Sequence, residues 1–317
     1  MKQMLQAVFA LVTFLIAGLA SAQAWPAKTI RVVIPYPVGG AVDVLTRIVT
    51  IPMSRELGQP IVIEPRPGAE GNIAALSVAN AAPDGYTLLS SSPVLTSIPL
   101  LFDNLKWGLK DFVPIAGFAT SSGFIVTSAT LPVKSLKELV EHVKAKPGLP
   151  AAILFGGAHT TFTTKLLVNQ AGINLLFVTY QGAAQHMPDL YEGRVGLATV
   201  SGNLACAALT NARLSVLAMT GEKRAPFATH VPTTREAGYP EVNTGGWYGF
   251  HAPAGTPKPV VERIGQALEK VLKTEEVKTA LANACVEIGF LNGKDFDEFV
   301  RNDVVRWQRA VQLVGKQ

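Results

Sequence analysis

Charge is scarce in this chain. Only 16% of the 317 residues are Asp, Glu, Lys or Arg, against 48% hydrophobic. That balance excludes a disordered chain and calls for a sizeable buried core, with length enough for two lobes. The formal net charge is +5, but the basic residues stand singly and are not interleaved with aromatics, so they read as a solvated surface and not as a nucleic-acid footprint. Apolar runs long enough to cross a bilayer are missing. Cysteine is nearly absent, with Cys206 and Cys285 alone. An oxidising compartment permits a disulfide between them. The expectation is instead two buried free thiols behaving as small hydrophobes.

The usual catalytic signatures are lacking too. There is no Gly-x-Ser-x-Gly elbow and no His-Glu-x-x-His zinc helix. The five histidines, His142, His159, His186, His230 and His251, are widely spaced, and the plainer reading of each is a surface or satisfied-core role. An exported hydrolase would need a nucleophile and a base that the sequence does not offer. No enzyme activity, cofactor or metal site is expected.

What is present is organised around residues 30–43. Ile30-Arg31-Val32-Val33-Ile34 has high β-propensity. Pro35-Tyr36-Pro37-Val38-Gly39-Gly40 stops the ladder and permits a tight turn. From Ala41 the period changes, and Val42, Leu45, Ile48 and Val49 fall on one helical face. The free N–H groups of such a helix's first turn suit an anion, for example a carboxylate. The plainer reading is only a β-to-α turn. The Lys-Ser/Thr of a P-loop and the third glycine of a dinucleotide loop are both missing, so a nucleotide is not expected. Asp43 and Arg47, at i and i+4, suggest a helix-surface ion pair. Asp43 also has a contact to a ligand amine, or fixing of the loop, open to it.

The N-terminus reads as a secretory signal, with Lys2 at the positive end and an apolar run over residues 7–20. Ala20-Ser21-Ala22 and Ala22-Gln23-Ala24 offer cleavage sites. The mature chain is expected to start at Gln23 or Trp25, soluble and exported.

Further along, strands at 61–64 and 86–89 alternate with helices and predict a parallel sheet covered on both faces. Ligands of such sheets gather outside the carboxyl ends of the strands. Several strands run into loops rich in small polar residues there. One leads to Ser91 and Ser92, another, near 152–155, to Gly157, Ala158, His159, Thr160 and Thr161. Others lead to Tyr180-Gln181-Gly182 and to Ser201-Gly202-Asn203. Turn chemistry accounts for any one of these serines, threonines or asparagines. Their shared edge favours a polar cleft. Ser135 and Glu138 make a capping-box start, and Val260, Ile264, Leu268, Val271 and Leu272 line one face of a C-terminal helix.

In order and spacing, these segments resemble the Bug family of periplasmic solute-binding proteins, the TctC-like receptors of tripartite tricarboxylate transporters. The resemblance is carried by Pro35-Tyr36-Pro37-Val38-Gly39-Gly40-Ala41-Val42-Asp43, Arg66-Pro67-Gly68, Ala81-Ala82-Pro83-Asp84-Gly85-Tyr86-Thr87-Leu88-Leu89 and Lys110-Asp111-Phe112-Val113-Pro114-Ile115. Tyr180-Gln181-Gly182, Glu236-Ala237-Gly238 and Ala252-Pro253-Ala254-Gly255-Thr256-Pro257 continue it. It implies an α/β fold of the type II periplasmic-binding-protein kind, with two lobes, two crossover strands and a ligand cleft between. The crossings are expected at 124–127 and 247–250, giving lobe 1 residues 25–123 and 250–317 and lobe 2 residues 124–249.

The implied ligand is a small organic anion, a mono- or dicarboxylate, aromatic and amino acids included. It is held by Tyr36, Pro37, Val38, Gly39, Gly40, Ala41, Asp43, Ser91 and Ser92 on one side. Gly157, Ala158, His159, Thr160, Thr161, Tyr180, Gly182, Ser201 and Asn203 hold it on the other. The implied partner is the membrane transporter, with a sensor kinase as the alternative, and the receptor is expected to be a monomer. Two departures stand out. A serine-rich loop with a histidine a few residues into the helix is replaced by Phe155-Gly156-Gly157-Ala158-His159, and the family's lysine before Gly182 is Gln181.

Overall fold

Strand β1 (Ile30–Ile34) buries every side chain but Arg31, whose guanidinium reaches Glu64 and Thr87. It becomes an interior strand of a sheet, one place from the edge, because its apolar residues have neighbours on both faces. This is a computed structural model, describing residues 25–154 and 158–315. The expected signal and its cleavage sites lie outside the described residues, as does Gly157. Among the described residues no helix is long and apolar enough to cross a membrane.

After β1 come α1 (Ala41–Leu57), β2 (Ile61–Pro65), α2 (Asn72–Ala79), β3 (Thr87–Ser91), α3 (Val94–Leu101) and β4 (Phe112–Ser121). There follow β5 (Gly123–Ser128), α4 (Leu136–Ala145), β6 (Leu149–Leu154), α5 (Ala158–Ala171), β7 (Leu175–Tyr180), α6 (Ala183–Tyr191), β8 (Leu197–Ser201), α7 (Gly202–Leu209) and β9 (Leu214–Met219). The chain ends with β10 (Gly246–Pro253), α8 (Lys258–Leu272), α9 (Glu275–Asn283), β11 (Glu287–Asn292) and α10 (Gly293–Val314).

The strands form two sheets, ordered β11-β4-β10-β3-β1-β2 and β7-β6-β8-β5-β9. Strands joined through helices are parallel, as expected: β1 with β2 and β3, and β6 with β7 and β8. The rest of each sheet is antiparallel, unlike the expectation of a parallel sheet. The cause is the passage between sheets. β4 runs through Ser122 directly into β5, and after β9 the chain returns to the first sheet as β10. A strand arriving without a helical crossover is free to run against its neighbours. The changes of sheet therefore lie at Ser122 and between Met219 and Gly246, just ahead of the segments expected to cross.

Thr220 stitches these two passages. Its Oγ1 accepts the Gly123 N–H at 2.7 Å and donates to the Thr244 carbonyl at 2.9 Å. Helix α10 runs across both lobes. Phe296 and Val300 pack with Trp107 and Trp247 on the first sheet's side, while Trp307 and Ala310 pack with Phe162 on the second's. Its buried Asp303 collects bonds from Thr96, Trp247 and Arg306.

Local signals hold where they are strictly local. Ser135 caps α4 by accepting the Glu138 N–H, while the Glu138 carboxylate takes the Lys134 N–H, one residue before the usual capping-box donor. In α8, Ile264, Leu268, Val271 and Leu272 are buried as the spacing predicts.

The expectation of free thiols is overturned. Cys206 and Cys285 form a disulfide, with Cα atoms 6.0 Å apart. The start of α7 is packed against the turn between α9 and β11: a Cβ on Gly202 would lie 2.3 Å from the Cys285 carbonyl oxygen. That contact brings together cysteines 79 residues apart and on different lobes, within the span a disulfide needs.

Candidate ligand cleft

The loop after β1 is held by its own helix. Asp43 is buried and accepts the Gly39 N–H at 2.9 Å through Oδ2. Its Oδ1 takes the Arg47 guanidinium, at 2.9 Å from Nε and 2.8 Å from the terminal nitrogen. Burial alone would raise its carboxyl pKa, but the Arg47 bonds and charge and the Gly39 N–H together hold it below the ordinary value. Asp43 thus realises two of its three open roles, ion pair and loop fixing, and both its oxygens are engaged.

The turn needs a glycine at Gly39, where φ is +84°. Gly40 has φ −72° and meets only the Pro37 carbonyl at 3.4 Å, so it is not required on conformational grounds. It gives α1 no side-chain cap, which leaves the first-turn N–H groups after it without one. Pro37, Val38 and Gly39 are exposed, and Ala41 is half-buried, at the mouth of this turn.

Below the loop lies a group of neutral hydroxyls. The Tyr36 phenol is raised above its ordinary pKa, first by burial, then by Tyr248 and Glu70, with Ser92 opposing. Tyr248 is pushed up to about 12 by burial, against a contact from Ser121. The Ser92 Oγ is buried beside Tyr36 without a satisfactory hydrogen bond. Ser91 is different. Its hydroxyl donates to the Gly249 carbonyl at 3.0 Å and lies 2.7 Å from His251 Nδ1, inside the sheet.

That serine–histidine pair is not a nucleophile and base. Both residues are buried, at 1% and 2% exposure. With its proton on Gly249, Ser91 must accept from Nδ1–H, the reverse of what a general base does. Burial also holds His251 at about 3.

On the second sheet's side, His159 is the notable group. Both ring nitrogens are buried and neither has a hydrogen-bond partner. The ring occupies space left by two glycines at the passages between sheets. A Cβ on Gly123 would lie 3.3 Å from its Cε1, and one on Gly246 3.8 Å from its Cδ2. Burial, with the Arg306 charge adding to it, lowers its pKa to about 4, so the ring is neutral. Thr161 turns inward instead, bonding the Leu154 backbone N–H at 3.1 Å and carbonyl at 3.0 Å. Thr160 is half-buried at the same helix start.

The Tyr180 hydroxyl donates to Asp189 at 2.6 Å, and burial with that partner pushes it up to about 12. Gly182 and Ser201 stand at the N-caps of α6 and α7, neither supplying a side-chain cap. Ala158 begins α5, and Asn203 lies in the first turn of α7. The structure therefore gives Asp43, Ser91, Thr161 and Tyr180 partners within the protein. It leaves Ser92, His159 and the α1 start with bonding capacity.

Tyr248, Ser121 and Arg306 join this region without having been singled out in the sequence. Tyr248 had a signal, its place in a strand expected to cross between lobes. Arg306 had none. Two larger cavities are present, the second of them against this region. One of about 920 Å³ runs between β4, α8 and the start of α10, and one of about 460 Å³ lies behind Ser121 and Ser122, beside Arg306.

The family model of the tripartite tricarboxylate transporter family receptor matches residues 45–316. The chain is 29% identical over 304 residues to Protein BugT of Bordetella pertussis, covering 95% of this chain and 93% of that one. Among solved structures, one from R. palustris with adipate has 29% identity and a TM-score of 0.85, covering 92% of this chain and 99% of that one. MatC from Rhodopseudomonas palustris with bound malate has 29% identity and a TM-score of 0.80, covering 90% and 100%. The periplasmic binding protein BugD has 30% identity and a TM-score of 0.82, covering 92% and 100%. With this fold, and a match of that extent, the chain belongs to the tripartite tricarboxylate transporter receptor family, the TctC or Bug type of solute-binding protein.

Proposed function

We propose that this protein is an exported receptor. It captures a small organic anion, most simply a dicarboxylate, between the loops of its two sheets and delivers it to a tripartite membrane transporter. The lobes built on the two sheets close over the ligand, and the receptor acts as a periplasmic monomer once its signal is removed. The observation that carries the reading is His159. A buried imidazole with neither nitrogen partnered is costly, and a carboxylate oxygen accepting its N–H removes that cost. The uncapped start of α1, with Gly39 and Gly40 before it, meets the other end of the anion. Ser92, Tyr36 and Tyr248 supply neutral donors between them, and Thr160, Gly182, Ser201 and Asn203 close the far side. That similar proteins hold adipate and malate supports the choice of dicarboxylate.

A thermal-shift screen tests this. Carboxylates are set against amides, sugars and uncharged aromatics. A true ligand at a hundredfold excess over Kd stabilises by about 2.7 kcal/mol, so one or more carboxylates raise the melting temperature by several degrees. A rise only with an uncharged ligand overturns the anion.

A further inference from the structure

The two lobes are joined by more than the polypeptide. Helix α7, which carries Cys206, packs on β9, β5 and β8 of the second sheet. Cys285 lies in the turn before β11, an edge strand of the first. Their bond is thus a third covalent link between lobes, beside the passages at Ser122 and between Met219 and Gly246. The contact around it is close. The Gly202 N–H donates to Ser121 Oγ at 3.2 Å, and Gly202 has no room for a Cβ against the Cys285 carbonyl. We propose that the Cys206–Cys285 disulfide is a redox-sensitive staple that limits how far the lobes open, so that the thiol poise of the compartment sets ligand affinity.

Two passages alone leave the lobes free to hinge; a third link packed against the Ser122 passage, where Ser201 pairs with Gly123 and Glu287 with Thr120, stiffens that hinge and narrows its range. Cys206 is half-buried and Cys285 is buried, so reduction begins at Cys206. A thiolate of a dithiol reductant attacks its Sγ, and Cys285 leaves as the thiolate and takes a proton. The reductant's second thiol then displaces Cys206 from the mixed disulfide. Two electrons and two protons pass to the protein, and the reductant ends as its own disulfide. The chain has no other cysteine, so a reductant acts nowhere else. The affinity arm of the proposal rests on the carboxylate reading above; the restraint does not.

The test compares the oxidised protein, the same protein after dithiothreitol, and the double variant Cys206→Ser with Cys285→Ser. Small-angle scattering without ligand is expected to show a wider spread of lobe separations in the reduced protein and in the double variant alike. Adipate affinity is expected to fall roughly tenfold in both, because an unrestrained receptor loses more freedom on closing. If the variant fails to fold, reduction of the folded wild type still supplies the comparison. Identical scattering in the oxidised and reduced forms overturns the staple, as do two free thiols in the unfolded, unreduced protein. Altered scattering with no adipate binding in any form keeps the staple and counts against adipate as the ligand.

Discussion

At the residue scale, the unusual members of the chain are its buried histidines. His159 and His251 have folded values of about 4 and about 3, below the ordinary 6.5, and burial lowers His186 as well. As pH falls below about 6.5 the unfolded chain takes up protons that the folded chain refuses. Their contribution is therefore constant above that value and is lost progressively between about 6.5 and about 4 for His159, and down to about 3 for His251. Urea midpoints measured at pH 7.5, 6 and 5 are expected to decline. His159→Leu is expected to flatten part of that decline without lowering stability at pH 7.5. A midpoint that does not move with pH in the wild type contradicts the burial of these rings as the cause.

At the element scale, α10 holds the lobes as one molecule, and it does so with its second half as much as its first. Trp307 is 2% exposed and meets the Phe162 ring edge-on at 5.1 Å between centroids. Trp307→Ala is expected to cost about 3–5 kcal/mol by the lost burial and the cavity left behind. Val305→Ala, two residues away but 62% exposed, is expected to stay within about 0.5 kcal/mol. Denaturant midpoints of the two variants make the comparison, and equal losses contradict the bridging role. The same scale shows what was legible in the sequence. The change of period after Gly40, the Asp43–Arg47 spacing and the apolar face of α8 are local, and they stand as read. The antiparallel half of each sheet was not legible, because it comes from strands passing between sheets without a helix. The cysteine pair was hidden for a related reason: their approach depends on how α7 meets the α9–β11 turn. Arg306 acquires its place beside His159 only by the docking of α10.

At the scale of the whole molecule, the proposed function divides the work across the cleft. The first sheet offers the uncapped start of α1, and the second offers an imidazole without a partner. Neither encloses an anion alone. Gly40 has ordinary backbone angles, so Gly40→Asp is compatible with the fold. As an N-cap, aspartate stabilises the helix over glycine by roughly a few tenths of a kcal/mol while covering the N–H groups with a like charge to the ligand's. His159→Leu removes the donor from the other side. The decisive measurement is calorimetric titration of adipate and malate into the wild type and these two variants, each first shown to be folded by circular dichroism. The account predicts saturable binding of at least one of the two by the wild type, weakened at least tenfold in each variant. Unchanged affinity in both variants would place the ligand outside this cleft and contradict the account.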